Sequence, residues 1–311
     1  MNKPILVIIY NHKFEQNIEK LERYYADKFS NIFHLVPFYE GHLNNVIAVY
    51  ENSHYFQGYI AQGFSRFFTS MAEHYLFVAD DLILNPLVNE HNYKDHLHLG
   101  PASGFIPGVE LFHEKMSPNF WRRTHDAYYY SRYLEGLEVA KELPERSAME
   151  DRLLQHKISL KPLTHEQIHA AVPKTDGPRN FMQKVESLYG SWLATKNKLT
   201  RKQFSLPYPL VGSYADIVVV PAISVKKFAH YCGCFAATRL HVEVALPTSL
   251  LLTTDEIVQE MDIELKGLAM WSEQDTEWMK PFQNDFSVLI SNFPEQALYL
   301  HPIKLSKWAN S

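Results

Sequence analysis

Ile5-Leu6-Val7-Ile8-Ile9-Tyr10 is an unbroken apolar run, and the period changes directly after it. Beyond an Asn11-His12 turn, Phe14, Ile18, Leu21 and Tyr25 recur at helical spacing. A continuous branched-apolar run fits a strand covered on both faces, and the later recurrence fits a helix with one buried stripe. Together they predict a βα unit. Ile32-Phe33-His34-Leu35-Val36-Pro37 and Val46-Ile47-Ala48-Val49-Tyr50 repeat the strand signature, a helix is expected over 55–71, and His74-Tyr75-Leu76-Phe77-Val78-Ala79 supplies a fourth strand. Strands alternating with helices predict an α/β fold with a mainly parallel, doubly wound central sheet.

The pattern changes over 117–204, which is rich in charged and aromatic residues. Helix-like stretches fall at 126–143 and 179–198, with a turn at Pro173-Lys174-Thr175-Asp176-Gly177-Pro178 between them. This reads as a mostly helical insertion in a single domain spanning 1–311. Arg122-Arg123 and the cations of 196–202 read as a solvated face, and Tyr128-Tyr129-Tyr130 as core with some capacity to stack on a sugar. Strand character returns over 209–221, which contains a strand ended by Pro221. Val225, Phe228, Ala229, Cys232 and Phe235 then follow at helical intervals. If 240–252 is one helix, Pro247 lacks the N–H that would bond the carbonyl of Glu243, and a kink is expected there.

Composition narrows the function classes. With 311 residues, 46% of them hydrophobic and 21% charged, the chain is long enough for a large core and is not disordered in composition. A net charge of -5 offers no broad basic surface for nucleic acid. No apolar stretch approaches membrane-spanning length, and the start carries no signal-like pattern, so a soluble cytoplasmic protein is expected, with peripheral membrane contact left open. Cys232 and Cys234 are too close for a loop-closing disulfide or a Cys-x-x-Cys site, and read as buried thiols.

Chemistry concentrates at two places. Asp80-Asp81 stand where the fourth strand should emerge into a loop. Ligands of open α/β sheets bind just outside the carboxyl ends of the strands, and carboxylate oxygens suit Mg²⁺ or Mn²⁺. A solvated Asp-Asp turn is the plain alternative. Glu243 is the lone acid of the apolar segment 240–252. Buried without a partner it would be costly, so it should meet either a substrate hydroxyl or a structural donor such as Asn or Arg.

The order of these parts resembles the GT-A glycosyltransferases, which use nucleotide sugars. The resemblance rests on the opening βα unit with Tyr10-Asn11-His12, on Val78-Ala79-Asp80-Asp81 as a variant of the Asp-x-Asp metal motif, on the strand, helix and acid from Gly212 to Glu243, and on Ala297-Leu298-Tyr299-Leu300-His301-Pro302-Ile303-Lys304. It implies a Rossmann-like sheet with the helical insertion, and transfer of a sugar from a UDP-linked donor to a carbohydrate or lipid-linked acceptor, in surface polysaccharide or lipopolysaccharide synthesis. It also implies roles. Asp81 and His301 would hold a divalent cation, Mn²⁺ or Mg²⁺. Asp80 would touch metal-bound water or ribose, and Lys304 the diphosphate. Tyr10 and Asn11 would receive the base, and Glu243 would be the catalytic base, with Asp216 as the reserve. The first aspartate of the usual triplet is Ala79 here, and Val244 stands where the family often has a second acid. A metal-dependent nucleotidyltransferase is one alternative, although no Gly-rich basic phosphate loop follows Tyr10. A catalytically decayed carbohydrate-binding protein of the same fold is the other.

Overall fold

The computed structural model describes residues 3–114, 121–133, 138–164 and 195–309, together with positions 167 and 192. The opening run forms β1 (Lys3–Ile9), and the helical pattern after it forms α1 (Gln16–Tyr25), which buries Ile18, Leu21 and Tyr25. β2 (Ile32–Pro37), β3 (Val46–Val49), α2 (Gln57–Phe67) and β4 (Ala72–Ala79) follow in the expected order. β4 ends at the Asp80–Asp81 turn, and the chain resumes as β5 (Ile83–Leu84) in a different sheet.

α3 (Tyr93–His96) and β6 (Ser103–Phe105) lead to the middle of the chain, where α4 (Trp121–Tyr129), α5 (Arg146–Gln155) and the two-residue strands β7 (Leu163–Thr164) and β8 (Gln203–Phe204) lie. The helix expected over 126–143 is not continuous. Tyr130 turns into the core, its hydroxyl 2.9 Å from that of Thr238, and Arg132 binds the carbonyl oxygens of Leu143 and Pro144, so the described residues after Tyr129 leave the helix. The helix expected over 179–198 falls mostly outside the described residues. β9 (Ile217–Pro221), α6 (Ala222–Ala237), α7 (Val242–Thr253) and β10 (Glu256–Val258) come next. β11 (Lys266–Ala269), α8 (Glu273–Met279), α9 (Phe286–Ser291) and β12 (Ala297–His301) complete the chain.

The architecture is α/β. A seven-stranded sheet has the order β10-β6-β9-β4-β1-β2-β3, with β9 antiparallel to both neighbours and the other pairs parallel. This mostly parallel mixed sheet is compatible with a Rossmann-like fold. Both faces of its centre are covered, which explains the unbroken apolar runs. Leu6 and Ile8 of β1 face α1 and the carboxyl-terminal segment, whereas Ile5, Val7 and Ile9 face α2, α6 and α7. From β1 the chain moves outward to β2 and β3, then returns to place β4 on the other side of β1. The reversal of strand order makes the carboxyl ends of β1 and β4 a topological switch point, the place where ligands of open α/β sheets bind.

A smaller sheet has the order β11-β12-β5. It packs on the α1 side, fastened by the Tyr24 hydroxyl to Leu84 O at 2.6 Å and by Lys20 Nζ to Leu305 O at 3.0 Å. Cys232 and Cys234 are buried free thiols. Among the described residues no helix is long and apolar enough to cross a membrane.

Candidate active site

The switch point holds the acidic pair. Ladder bonding between β1 and β4 continues past the strand ends, with Asp80 N donating to Ile9 O at 2.9 Å, and this turns the Asp80 side chain toward the start of the β1–α1 loop. Its Oδ1 accepts from Asn11 N and its Oδ2 from Asn17 Nδ2, both at 3.2 Å. Asp80 is only 3% exposed. Burial, and next the charge of Asp81, push its carboxyl up to about 7, against the lowering effect of the Asn17 and Asn11 donors.

Asp81 faces the other way and meets His301, 220 residues later in the chain, with Oδ1 3.0 Å from Nε2. The smaller sheet makes this contact. β5 continues directly from the acidic turn and pairs antiparallel with β12, Tyr299 opposite Leu84 and Leu300 opposite Ile83, so the end of β12 arrives beside the turn. Ile303 N then donates to Asp81 O at 2.7 Å and closes the junction. Asp216, just ahead of β9, completes the cluster. Its carbonyl accepts from Ala79 N at 2.9 Å, and its carboxylate lies 3.9 Å from His301 Nε2. The Tyr214 hydroxyl bonds His301 Nδ1, so both imidazole nitrogens are engaged and the ring orientation is fixed.

The cluster is electrostatically coupled. Burial opposes an imidazolium at His301, but the bond to Asp81 and the charges of Asp216, Asp81 and Asp80 outweigh it, and the pKa is raised. Burial also raises Asp216, with His301 pulling the other way and Asp81 adding to the rise. The Tyr214 hydroxyl is held protonated by burial and by the neighbouring Asp216 charge.

Among the described residues no group of three or more His, Cys, Asp or Glu side chains is arranged as a metal centre. Asp81 offers a hard carboxylate oxygen of the kind Mn²⁺ and Mg²⁺ take, and His301 sets an imidazole nitrogen beside it. Such ions take one or two protein ligands and fill the remaining positions with water and ligand phosphates, with bonds of about 2.1 Å. Donor atoms 3.0 Å apart, as Asp81 Oδ1 and His301 Nε2 are, match adjacent positions around an ion of that size.

Glu243 lies in the first turn of α7, whose N-cap is His241. Pro247 leaves the Glu243 carbonyl without its helical donor, and that carbonyl accepts from Ser213 N at 2.9 Å instead. The missing bond thus ties α7 to the segment carrying Tyr214 and Asp216. The Glu243 carboxylate is 30% exposed and lies 3.4 Å from Arg123 Nε. Arg123 is buried rather than on the solvated face expected for it. It also pairs with Glu110 at 2.7 Å and donates to Ser213 O at 3.1 Å. The lysines of 196–202 are exposed as expected.

Of the two remaining expectations, the one for Tyr10 meets a different geometry. Tyr10 is wholly buried with its hydroxyl 2.9 Å from His34 Nδ1, so its ring is part of the core and offers no face to a base. Lys304 is exposed just beyond the acidic cluster, at the N-cap of a short 3₁₀ turn, Leu305–Lys307. Asn17, Tyr214 and Arg123 were not singled out as site residues by sequence reasoning. Asn17 lies on the buried stripe of α1, where an amide breaks the apolar pattern, and that was the available signal. No protein-family model matches the chain, and no curated protein shows significant similarity to it.

Proposed function

We propose that the chain is a cytoplasmic, metal-assisted glycosyltransferase of GT-A type, which moves a sugar from a nucleoside-diphosphate sugar to a carbohydrate or lipid-linked acceptor in surface polysaccharide or lipopolysaccharide synthesis. The observation that carries this reading is the meeting of Asp81 and His301 beside Asp216 at the switch point of a mostly parallel sheet. A carboxylate after β4 and a histidine from the far end of the chain have little reason to converge at the strand ends for stability alone, because each is costly to bury.

In this reading Asp81 and His301 would hold Mn²⁺ or Mg²⁺, which would supply positive charge against the diphosphate leaving group. Asp80 is buried and bound by Asn11 N and the Asn17 amide, so it fixes the start of the β1–α1 loop rather than meeting ribose or metal-bound water, and Asn11 takes the nucleoside side. Exposed Lys304 follows His301 closely enough in sequence to reach the diphosphate and offset its charge. Asp216 and Tyr214 orient His301. Glu243 is the base toward the acceptor: the acceptor oxygen bonds to the anomeric carbon, its proton passes to the Glu243 carboxylate, and the electron pair of the broken C–O bond leaves with the nucleoside diphosphate. Arg123 holds that carboxylate in place.

The test is incubation with a panel of UDP-, GDP- and dTDP-sugars and Mn²⁺ in the presence of carbohydrate acceptors. Release of nucleoside diphosphate is expected. Release of pyrophosphate from nucleoside triphosphate and sugar phosphate would instead establish a nucleotidyltransferase. Binding of carbohydrate with neither product would establish a non-catalytic protein.

A further inference from the structure

Trp271 stands between β11 and α8, and its backbone is held on both sides. Ala269 pairs with His301 in the β11–β12 register, and Met270 N donates to His301 O at 2.7 Å. Ser272 caps α8, its Oγ accepting from Asp275 N at 3.2 Å while the Asp275 carboxylate accepts from Ser272 N at 2.7 Å. The side chain is nevertheless 68% exposed, and its ring centroid lies 5.4 Å from that of His301. The chain thus fixes an indole at the rim of the Asp81, Asp216 and His301 cluster and leaves most of it in water.

Single exposed apolar side chains are ordinary, and the position of this one is what matters. An indole offers a flat apolar face, and the adjoining carboxylates accept hydrogen bonds from hydroxyl groups. A flat apolar face beside acceptors complements a pyranose, which has C–H faces and a rim of O–H donors. The site also has two sides. Asn11 lies on the β1 side of Asp80, whereas Trp271 adjoins His301, which adjoins Tyr214 and Asp216 on the β9 side. With the nucleoside on the β1 side and the diphosphate at the cluster, the ring that reaches Trp271 is the sugar.

We propose that Trp271 is the stacking platform for the sugar ring of the donor, a proposal that rests on the nucleotide-sugar reading above. The experiment is calorimetric titration, with Mn²⁺ present, of the wild-type chain, Trp271→Ala and Trp271→Phe with nucleoside diphosphates and their matching sugars. UDP, GDP and dTDP are set against UDP-glucose, UDP-galactose, UDP-N-acetylglucosamine, GDP-mannose and dTDP-rhamnose. Trp271→Ala is expected to weaken the preferred sugar nucleotide about 10-fold while changing the bare diphosphate less than about 2-fold, with Trp271→Phe recovering most of the loss. In parallel, the sugar nucleotide should quench a component of tryptophan emission that Trp271→Phe removes. Equal weakening of diphosphate and sugar nucleotide would overturn the proposal in favour of a base or structural role. An unchanged affinity for both, in a wild-type chain that binds sugar nucleotides, would overturn it outright. A wild-type chain that binds none of the probes refutes the nucleotide-sugar reading itself, and the platform with it.

Discussion

Asp80→Asn is expected to make the protein more stable while removing a group from its site. The Asp80 carboxylate is almost wholly buried, and its pKa rises from an ordinary 3.8 to about 7. Between about pH 4 and pH 7 the native chain therefore keeps a proton that the unfolded chain has lost, so stability falls as pH rises through that window and levels off above it. Displacing a carboxyl that far corresponds to about 4 kcal/mol at full ionisation, which is a ceiling because local relaxation reduces it. The amide oxygen of Asn keeps the bond from Asn11 N. The new NH₂ group faces Asn17, whose side-chain oxygen is buried without a hydrogen-bond partner and can accept from it once the Asn17 amide turns. Urea unfolding in EDTA should find the variant about 2–4 kcal/mol more stable than wild type at pH 8, with the difference shrinking toward zero near pH 4. A variant less stable than wild type at pH 8, or a difference that does not change with pH, would refute the argument from burial.

Three other substitutions probe separate parts of the molecule. Asp81→Ala should abolish the Mn²⁺ dependence of UDP binding in calorimetry, since it removes the charged donor beside His301; undiminished metal-dependent binding would remove Asp81 from the site. Glu243→Gln should cost less than about 1 kcal/mol in stability, because Arg123 keeps Glu110 and Ser213, but lower turnover about 10²-fold; several kcal/mol of lost stability with turnover intact would make it a structural acid. His74 is buried with Nδ1 2.9 Å from the Tyr93 hydroxyl and Nε2 3.1 Å from Ser103 O, and burial lowers its pKa below the usual 6.5. Its contribution is present above about pH 6.5 and lost as pH falls through the lowered value, so wild type should lose more stability than His74→Gln between pH 7 and pH 5.

Much of the central sheet was legible because its strands are long and covered on both faces. β1, β2, β4 and β9 announce themselves as apolar runs, and α6 by the recurrence of Val225, Phe228, Ala229, Cys232 and Phe235. The short strands were not. β6 has only three residues, Ser103–Phe105, and Gly104 has no side chain to mark a face; a Cβ there would come to 3.0 Å from Val219 O and from the Leu250 side chain. β5 has two residues, too few for any period to show. The helix expected over 126–143 failed because Tyr130 and Arg132 gain more from tertiary partners than from continuing a helix. At the site, the residue types could be read, and so could the effect of Pro247 on the Glu243 carbonyl. The donor that carbonyl found, Ser213, could not.

The meeting of Asp81 and His301 shows why a site is harder to read than a strand. The resemblance suggested the pair, but what brings the two residues together is the register of β12 on β5, which is specified by neither residue. Tyr299 and Leu300 are both buried, Tyr299 stacked on Tyr214 and bonded to Glu260, so the register is fixed by what these side chains pack against on opposite faces. A slip of one residue would exchange the faces of Tyr299, Leu300 and His301 and turn the imidazole away from the acidic turn. The charged groups are thus positioned by an apolar pairing that outweighs the cost of gathering three carboxylates around one histidine. Residues that gain nothing from the site's chemistry, Leu84 and Leu300 among them, hold its geometry.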